Sequence, residues 1–149
     1  MPVRMELSRI LIREMTDLQV IELREVGEAG ETGSSDGKGE AGLRTFPIVI
    51  GLPEAQAIER RLKGISVKRP QTHDLLASVI TSMGGKLESI SITDLSDQTF
   101  FATLDVKNAE GEMVHIDSRP SDAIALGIAG GVPIYVAEHV LDEALTEEP

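Results

Sequence analysis

Apolar and polar positions alternate with a period of two over much of the chain, and that alternation gives way several times to helical spacing. In MELSRILIR (residues 5–13) and QVIELREV (19–26), where Ile21 and Leu23 oppose Glu22 and Arg24, the pattern predicts two strands. A hairpin turn is expected at Thr16 and Asp17, and RTFPIVIG (44–51) predicts a third strand. Pro53 then opens PEAQAIERRLKG. Proline at the first helical position and Glu54 in the first turn favour a helix start, and Gly64 ends it. Ala55, Ile58 and Leu62 give this helix an inward stripe. Thr72 is placed to N-cap a second helix, whose Leu75, Leu76, Val79, Ile80 and Met83 are expected to be buried before Gly84 and Gly85 stop it.

Alternation resumes in the second half. KLESISITDL and TFFATLDVK predict strands, the latter with Phe100, Ala102, Leu104 and Val106 on one face. In EMVHIDSR, Val114 and Ile116 are expected inward and His115 and Asp117 outward. Turns are expected at Ser96 and Asp97 and over 108–111. Pro120 opens a helix with Ala123, Ile124, Leu126 and Ile128, apolar nearly all round and so buried on several sides. A short strand over 133–136 and a final helix, AEHVLDEAL, complete the chain.

Both halves therefore run as a hairpin, a third strand, a Pro-opened helix and another helix, which predicts a duplication with halves at about 5–84 and 85–145. Setting Pro53 on Pro120 aligns Ile48, Ile50 and Leu52 with His115, Asp117 and Arg119. The apolar side chains of one copy are polar in the other. Either a site or a polar surface would produce that change.

Length and composition narrow the class. A chain of 149 residues with 41% hydrophobic content fits one domain, taken as 1–149. Residues 27–42, rich in Gly, Ser, Glu and Asp, predict a flexible loop. Gly33 and Gly37 are one residue too close together for a phosphate-binding loop, and no apolar helix follows them. With no cysteine there is no disulfide framework, zinc-thiolate site or thiol nucleophile. No run is long and apolar enough to span a bilayer, so a soluble, cytoplasmic protein is expected. The formal charge of -11 opposes a broadly basic nucleic-acid surface. Residues 60–69 are the exception, with Arg60, Arg61, Lys63, Lys68 and Arg69 and no acid. That patch reads either as a solvated face or as a phosphate-binding surface.

Four stretches carry a resemblance: IVIGLPEAQAI (48–58), RPQTHDLL (69–76), TFFATL (99–104) and IDSRPSDAIALGIAGGVPIYVAE (116–138). In this order they resemble the bifunctional nuclease domain family, over about residues 5–145. The resemblance implies a compact α+β domain of two β3α2-like repeats, with a mixed or antiparallel sheet packed with helices. It also implies degradation of RNA and DNA, and frequent oligomerisation, with a dimer favoured here. The long Gly-rich insertion at 27–42 departs from the family pattern.

Phosphodiester cleavage needs an activated nucleophile and positive charge near the transferred phosphoryl group. Asp117, Asp122, Asp74 and His73 are the candidate catalytic residues, with His73 a candidate base near neutral pH. Asp117 and Asp122 are the candidate ligands for Mg2+ or Mn2+. Arg69 and Arg119, joined by Arg60 and Lys63, are the candidate phosphate-binding residues, because a guanidinium fork matches phosphate oxygens. RPQTHD and DSRPSD are expected to converge. The same residue types would equally build a structural network bracing two helices, in a non-catalytic dimeric interaction module. Sequence alone leaves both open.

Overall fold

The computed structural model describes residues 2–13, 18–27 and 43–146. Its elements are β1 (Val3–Leu11), β2 (Leu18–Glu25), β3 (Thr45–Gly51), α1 (Leu52–Lys63), α2 (Thr72–Ser82), β4 (Lys86–Ser96), β5 (Thr99–Lys107), β6 (Met113–Ser118), α3 (Pro120–Gly127), β7 (Ile134–Val136) and α4 (Glu138–Thr146). The fold is α+β, as expected. The predicted hairpin turn at Thr16 and Asp17, and all but the first residue of the loop predicted over 27–42, lie outside the described residues.

One seven-stranded sheet runs in the order β3-β2-β1-β7-β4-β5-β6. Strands β1 to β3 form one antiparallel meander and β4 to β6 another. Between them sits β7, antiparallel to β1 and parallel to β4. The sheet curls enough for Phe46 of β3 to stack on Phe100 of β5, with ring centroids 5.6 Å apart. The meanders follow the predicted order of elements, but their unequal joining through β7 does not by itself demonstrate duplication.

The apolar positions of the alternating strands and the helices meet in one core on one face of the sheet. It includes Ile21, Leu23, Phe46, Ile90, Ile92, Ala102, Ile124 and Leu141. Each fully buried aliphatic side chain contributes about 2 kcal/mol relative to exposure. Every residue of helix α3 except Asp122 is buried, as its apolar periphery predicted. It ends close to β4: a Cβ on Gly127 would stand 2.7 Å from Ile90 Cδ1. The turn between β4 and β5 is built on Asp97 and Gln98, both at positive φ, one residue later than the Ser96–Asp97 expectation.

Several expectations need correction. Helix α1 starts at Leu52, one residue before Pro53, and the N-cap of α2 is Gln71, with Thr72 the first helical residue. The expected buried face of α2 is largely exposed: Leu75 is 55% and Met83 76% accessible, and Leu76 and Val79 are also exposed. Ala77 and Ile80 carry its packing on the core, so most of the apolar stripe points elsewhere. Leu62, predicted to face inward, is 51% exposed, and Ile65 and Val67 after it are exposed too. Val114 and Ile116 are exposed as well. They belong to β6, an edge strand that among the described residues pairs only with β5.

Candidate functional site

The motifs RPQTHD and DSRPSD do meet. Asp122, in the first turn of α3, accepts a hydrogen bond on Oδ1 from His73 Nε2 of α2 at 2.9 Å. Arg119, the N-cap of α3, clasps the same carboxylate from Nε at 2.8 Å and from Nη2 at 3.2 Å. The remaining end of the guanidinium lies 3.4 Å from Glu54 of α1. Gly51 makes room for this arrangement, since a Cβ there would collide with the Glu54 carboxylate. Burial pushes Asp122 upward, but hydrogen bonds from Arg119 and His73 outweigh it and hold the acid below its ordinary range. The facing carboxylate of Asp122 in turn raises Arg119. Arg119 stands at the rim of a groove of about 710 Å³ lined by Val49, Leu95, Phe100 and Ser121 as well as Glu54.

A second network lies beside the first. Asp74 receives the backbone N–H of Gln71 at 3.0 Å, Arg60 at 2.8 Å and Arg61 at 2.5 Å. The Gln71 amide contributes most to holding Asp74 below its ordinary value. Arg61 also donates to the carbonyls of Ala125 and Leu126, which meets the unsatisfied acceptors at the end of α3. One arginine thus joins α1, α2 and α3. Arg60 is nearly buried, with Nε left without a partner among the described residues.

This geometry redistributes the expected phosphate-binding residues. Arg60 turns inward to Asp74, while Lys63 pairs with Glu59 on the surface of α1. Arg69 is exposed and is joined to none of Asp74, Asp117 and Asp122 by any hydrogen bond or ion pair among the described residues. Asp117 is exposed on β6, on the face shared with His115, and no hydrogen bond joins it to Asp122. Among the described residues no group of three or more His, Cys, Asp or Glu side chains is placed to hold a metal ion.

Sequence reasoning missed a polar cluster on the opposite face of the sheet. Asp105 of β5 is buried there. Its Oδ2 accepts from Ser89 at 2.8 Å and Ser91 at 2.6 Å, and its Oδ1 from Thr103 at 2.9 Å and His115 Nδ1 at 2.7 Å. Burial pushes the acid up, but the four hydrogen bonds together overcome it and the net shift is downward. A signal was present: Ser89, Ser91, Thr103 and Asp105 occupy the non-core positions of two alternating strands that register Ser89 on Asp105 and Ser91 on Thr103.

Comparison with known proteins bears on both networks. The bifunctional nuclease domain model matches residues 38–149, which include every residue of the two networks. The chain belongs to the bifunctional nuclease domain family. An uncharacterized protein of Mycobacterium tuberculosis strain H37Rv is 41% identical over 103 residues, covering 69% of this chain and 60% of its own. Bifunctional nuclease 1 of Arabidopsis thaliana is 26% identical over 98 residues, 64% of this chain and 30% of its own. Bifunctional nuclease 2 of the same plant is 23% identical over 97 residues, again 64% and 30%. This bifunctional nuclease domain therefore spans about three-fifths of the mycobacterial relative and under a third of each plant relative. None of its described helices is long and apolar enough to cross a membrane.

Proposed function

We propose that this domain hydrolyses phosphodiester bonds of RNA and DNA, with Arg119 positioning a phosphate at the mouth of the groove. Family membership supports the reaction class, and the placement of Arg119 is the observation that supports the site. Arg119 is 64% exposed, anchored through Nε and one Nη by Asp122, and backed by Glu54. A guanidinium has five N–H donors, so this anchorage leaves donors for a phosphate oxygen. In this reading His73 orients Asp122 and thereby Arg119, while Asp74 with Arg60 and Arg61 braces the three helices.

The proposed help from Mg2+ or Mn2+ fits the donor set poorly. Both oxygens of Asp122 are engaged, and Asp117 stands apart from it. No catalytic step is therefore assigned to a metal. Homodimerisation belongs to the same proposal: Leu62 of α1, Leu75, Leu76 and Val79 of α2 and Met83 after it are large apolar side chains left exposed, the residue type from which protein interfaces are built. A cytosolic setting follows from the cysteine-free composition only as part of this proposal.

The test is cleavage of single-stranded RNA and DNA by wild type, Arg119→Ala and an Asp117→Asn/Asp122→Asn double variant, each with Mg2+, Mn2+ or EDTA. Wild type should cut both polymers, and Arg119→Ala should lose about tenfold or more, as expected for one charge-assisted hydrogen bond. Equal cleavage by all three proteins would assign the activity to a contaminant and remove the corner as a site. Loss of wild-type activity in EDTA would restore a metal to the reaction.

A further inference from the structure

The cluster around Asp105 differs from an ordinary polar patch on a sheet, because it buries an acid while leaving the base attached to it accessible. The Asp105 side chain is 7% exposed and that of His115 63%. Each of the three hydroxyls Ser89, Ser91 and Thr103 donates its one proton to the carboxylate, so their common effect is to hold the acid in place. Asp105 is held ionised at neutral pH, so it has no proton to offer. The 2.7 Å separation then requires the hydrogen to sit on His115 Nδ1. In the neutral ring, Nε2 therefore carries the lone pair, on an exposed side chain. An acid that fixes the tautomer and orientation of a base is an arrangement that proton-transfer catalysis uses.

The surroundings suit an extended polyanion. Among the described residues strand β6 is paired on one side only, and five of its six residues are exposed. The backbone of Arg119 follows its C-terminal end, about 13 Å from that of His115 at the rise of an extended chain, with the guanidinium turned toward Glu54 of α1 and Asp122 of α3. On the other side, Lys107 shares the face of Asp105 and registers opposite Met113, one diagonal step from His115. The ammonium of Lys107 makes no ion pair among the described residues, and Lys86 registers next to it on β4. Phe101 is exposed on this same face, and a depression of about 400 Å³ lined by Ser91, Thr93 and Tyr135 opens beside the cluster. Two aromatic rings on the face fit base stacking. The opposing charges are Asp117, next after His115 on this side of β6, Asp94, which registers on Phe101, and Glu138, which lines the depression.

We propose that His115, oriented by Asp105, is the general base and acid of phosphodiester hydrolysis, acting on a nucleic-acid strand laid along β6. The inference rests on the nuclease reading and names its proton-transfer group. Nε2 takes a proton from water as the water oxygen bonds to phosphorus. The bond from phosphorus to the leaving nucleoside oxygen breaks, and the imidazolium returns the proton to that oxygen. One phosphodiester and one water give a phosphomonoester and an alcohol. Lys107 offsets charge on the phosphoryl oxygens, and Arg119 holds a phosphate further along the strand.

The experiment compares wild type, His115→Gln, His115→Ala and Asp105→Asn on fluorescent single-stranded RNA and DNA. Circular dichroism checks the fold, and nitrogen-15 NMR of the imidazole reads the tautomer. His115→Gln should lower kcat by about 10²–10⁴-fold, the usual contribution of a positioned acid–base group, and leave KM within about threefold. Added imidazole should restore part of the rate to His115→Ala. The wild-type spectrum should place the proton on Nδ1, and Asp105→Asn should release that preference. If wild type cleaves and His115→Gln keeps its kcat, this inference falls while the nuclease reading stands. A folded His115→Ala that loses activity without imidazole rescue also overturns it, by making the role structural. No cleavage by wild type overturns both.

Discussion

The molecule contains two aspartate–histidine pairs of nearly equal length, 2.9 Å for Asp122–His73 and 2.7 Å for Asp105–His115, in opposite settings. In the first, the histidine is the more enclosed partner, with 17% of its side chain exposed, and the carboxylate also serves Arg119. In the second, the carboxylate is enclosed and three hydroxyls complete its coordination. One pair presents a guanidinium to solvent and the other an imidazole. The contrast shows why residue types alone do not assign a role: what matters is which member of the pair is left outside, and whether its free nitrogen can reach a solute.

The largest expected effect lies next to the first pair. Asp74→Ala should cost about 3 kcal/mol or more, because it strands Arg60 and Arg61, both largely enclosed, without their shared counter-charge. Urea titration measures this. A loss within a few tenths of a kcal/mol would mean that the brace is not structural.

A smaller effect separates the two histidines. His73→Gln should lose about 1 kcal/mol of stability, the net worth of a typical hydrogen bond, while keeping kcat within a few-fold. His115→Gln is expected to show the reverse pattern. If the two variants behave alike in both measurements, the distinction between the pairs disappears.

Acid titration probes the carboxylates together. Asp74, Asp105 and Asp122 are all held below their ordinary range in the folded chain. Such groups stabilise the fold above the unfolded-state value, about 3.9 for aspartate, and that stabilisation is lost as pH falls through their lower folded values. The urea midpoint should therefore hold steady from about pH 7 to pH 5 and decline below about pH 4. Asp105→Asn should flatten part of that decline. An unchanged acid slope in this variant would mean that Asp105 is not charged in the fold.

The smallest effect concerns the surface lysine and arginine. Lys63→Glu with Arg69→Glu should change the log–log salt slope of single-strand binding by at most about 0.7 for each phosphate that is no longer neutralised. Glu59 already engages Lys63, which supports the lower end of that range.

Element order and the α+β class were legible in the residues, because alternation, proline at helix starts and glycine at helix ends act locally; the convergence of RPQTHD on DSRPSD was legible only as two related helix-entry corners carrying complementary charges. What was not legible depends on partners distant in sequence. The stripe of α2 could be recognised as apolar, but not as facing away from the core. The arginine partners of Asp74 proved to be Arg60 and Arg61, one helix away, rather than Arg69 at the head of its own motif. Asp105 passed unnoticed because its role emerges only when β4, β5 and β6 are set in register. The position of β7 between two meanders has no local signature at all.

That three-residue strand also has a consequence for how the chain folds. Each meander is built from neighbours in sequence and can form early, but the sheet is continuous only after Ile134–Val136 inserts between β1 and β4. Joining β1 to β7 closes a loop of more than 120 residues, from Val3 and its neighbours to Val136, so this seam has the highest contact order of the described sheet and costs the most loop-closure entropy. Until it forms, β1 and β4 are open edges able to recruit a strand from another molecule. The shortest strand of the sheet thus separates completed folding from intermolecular pairing.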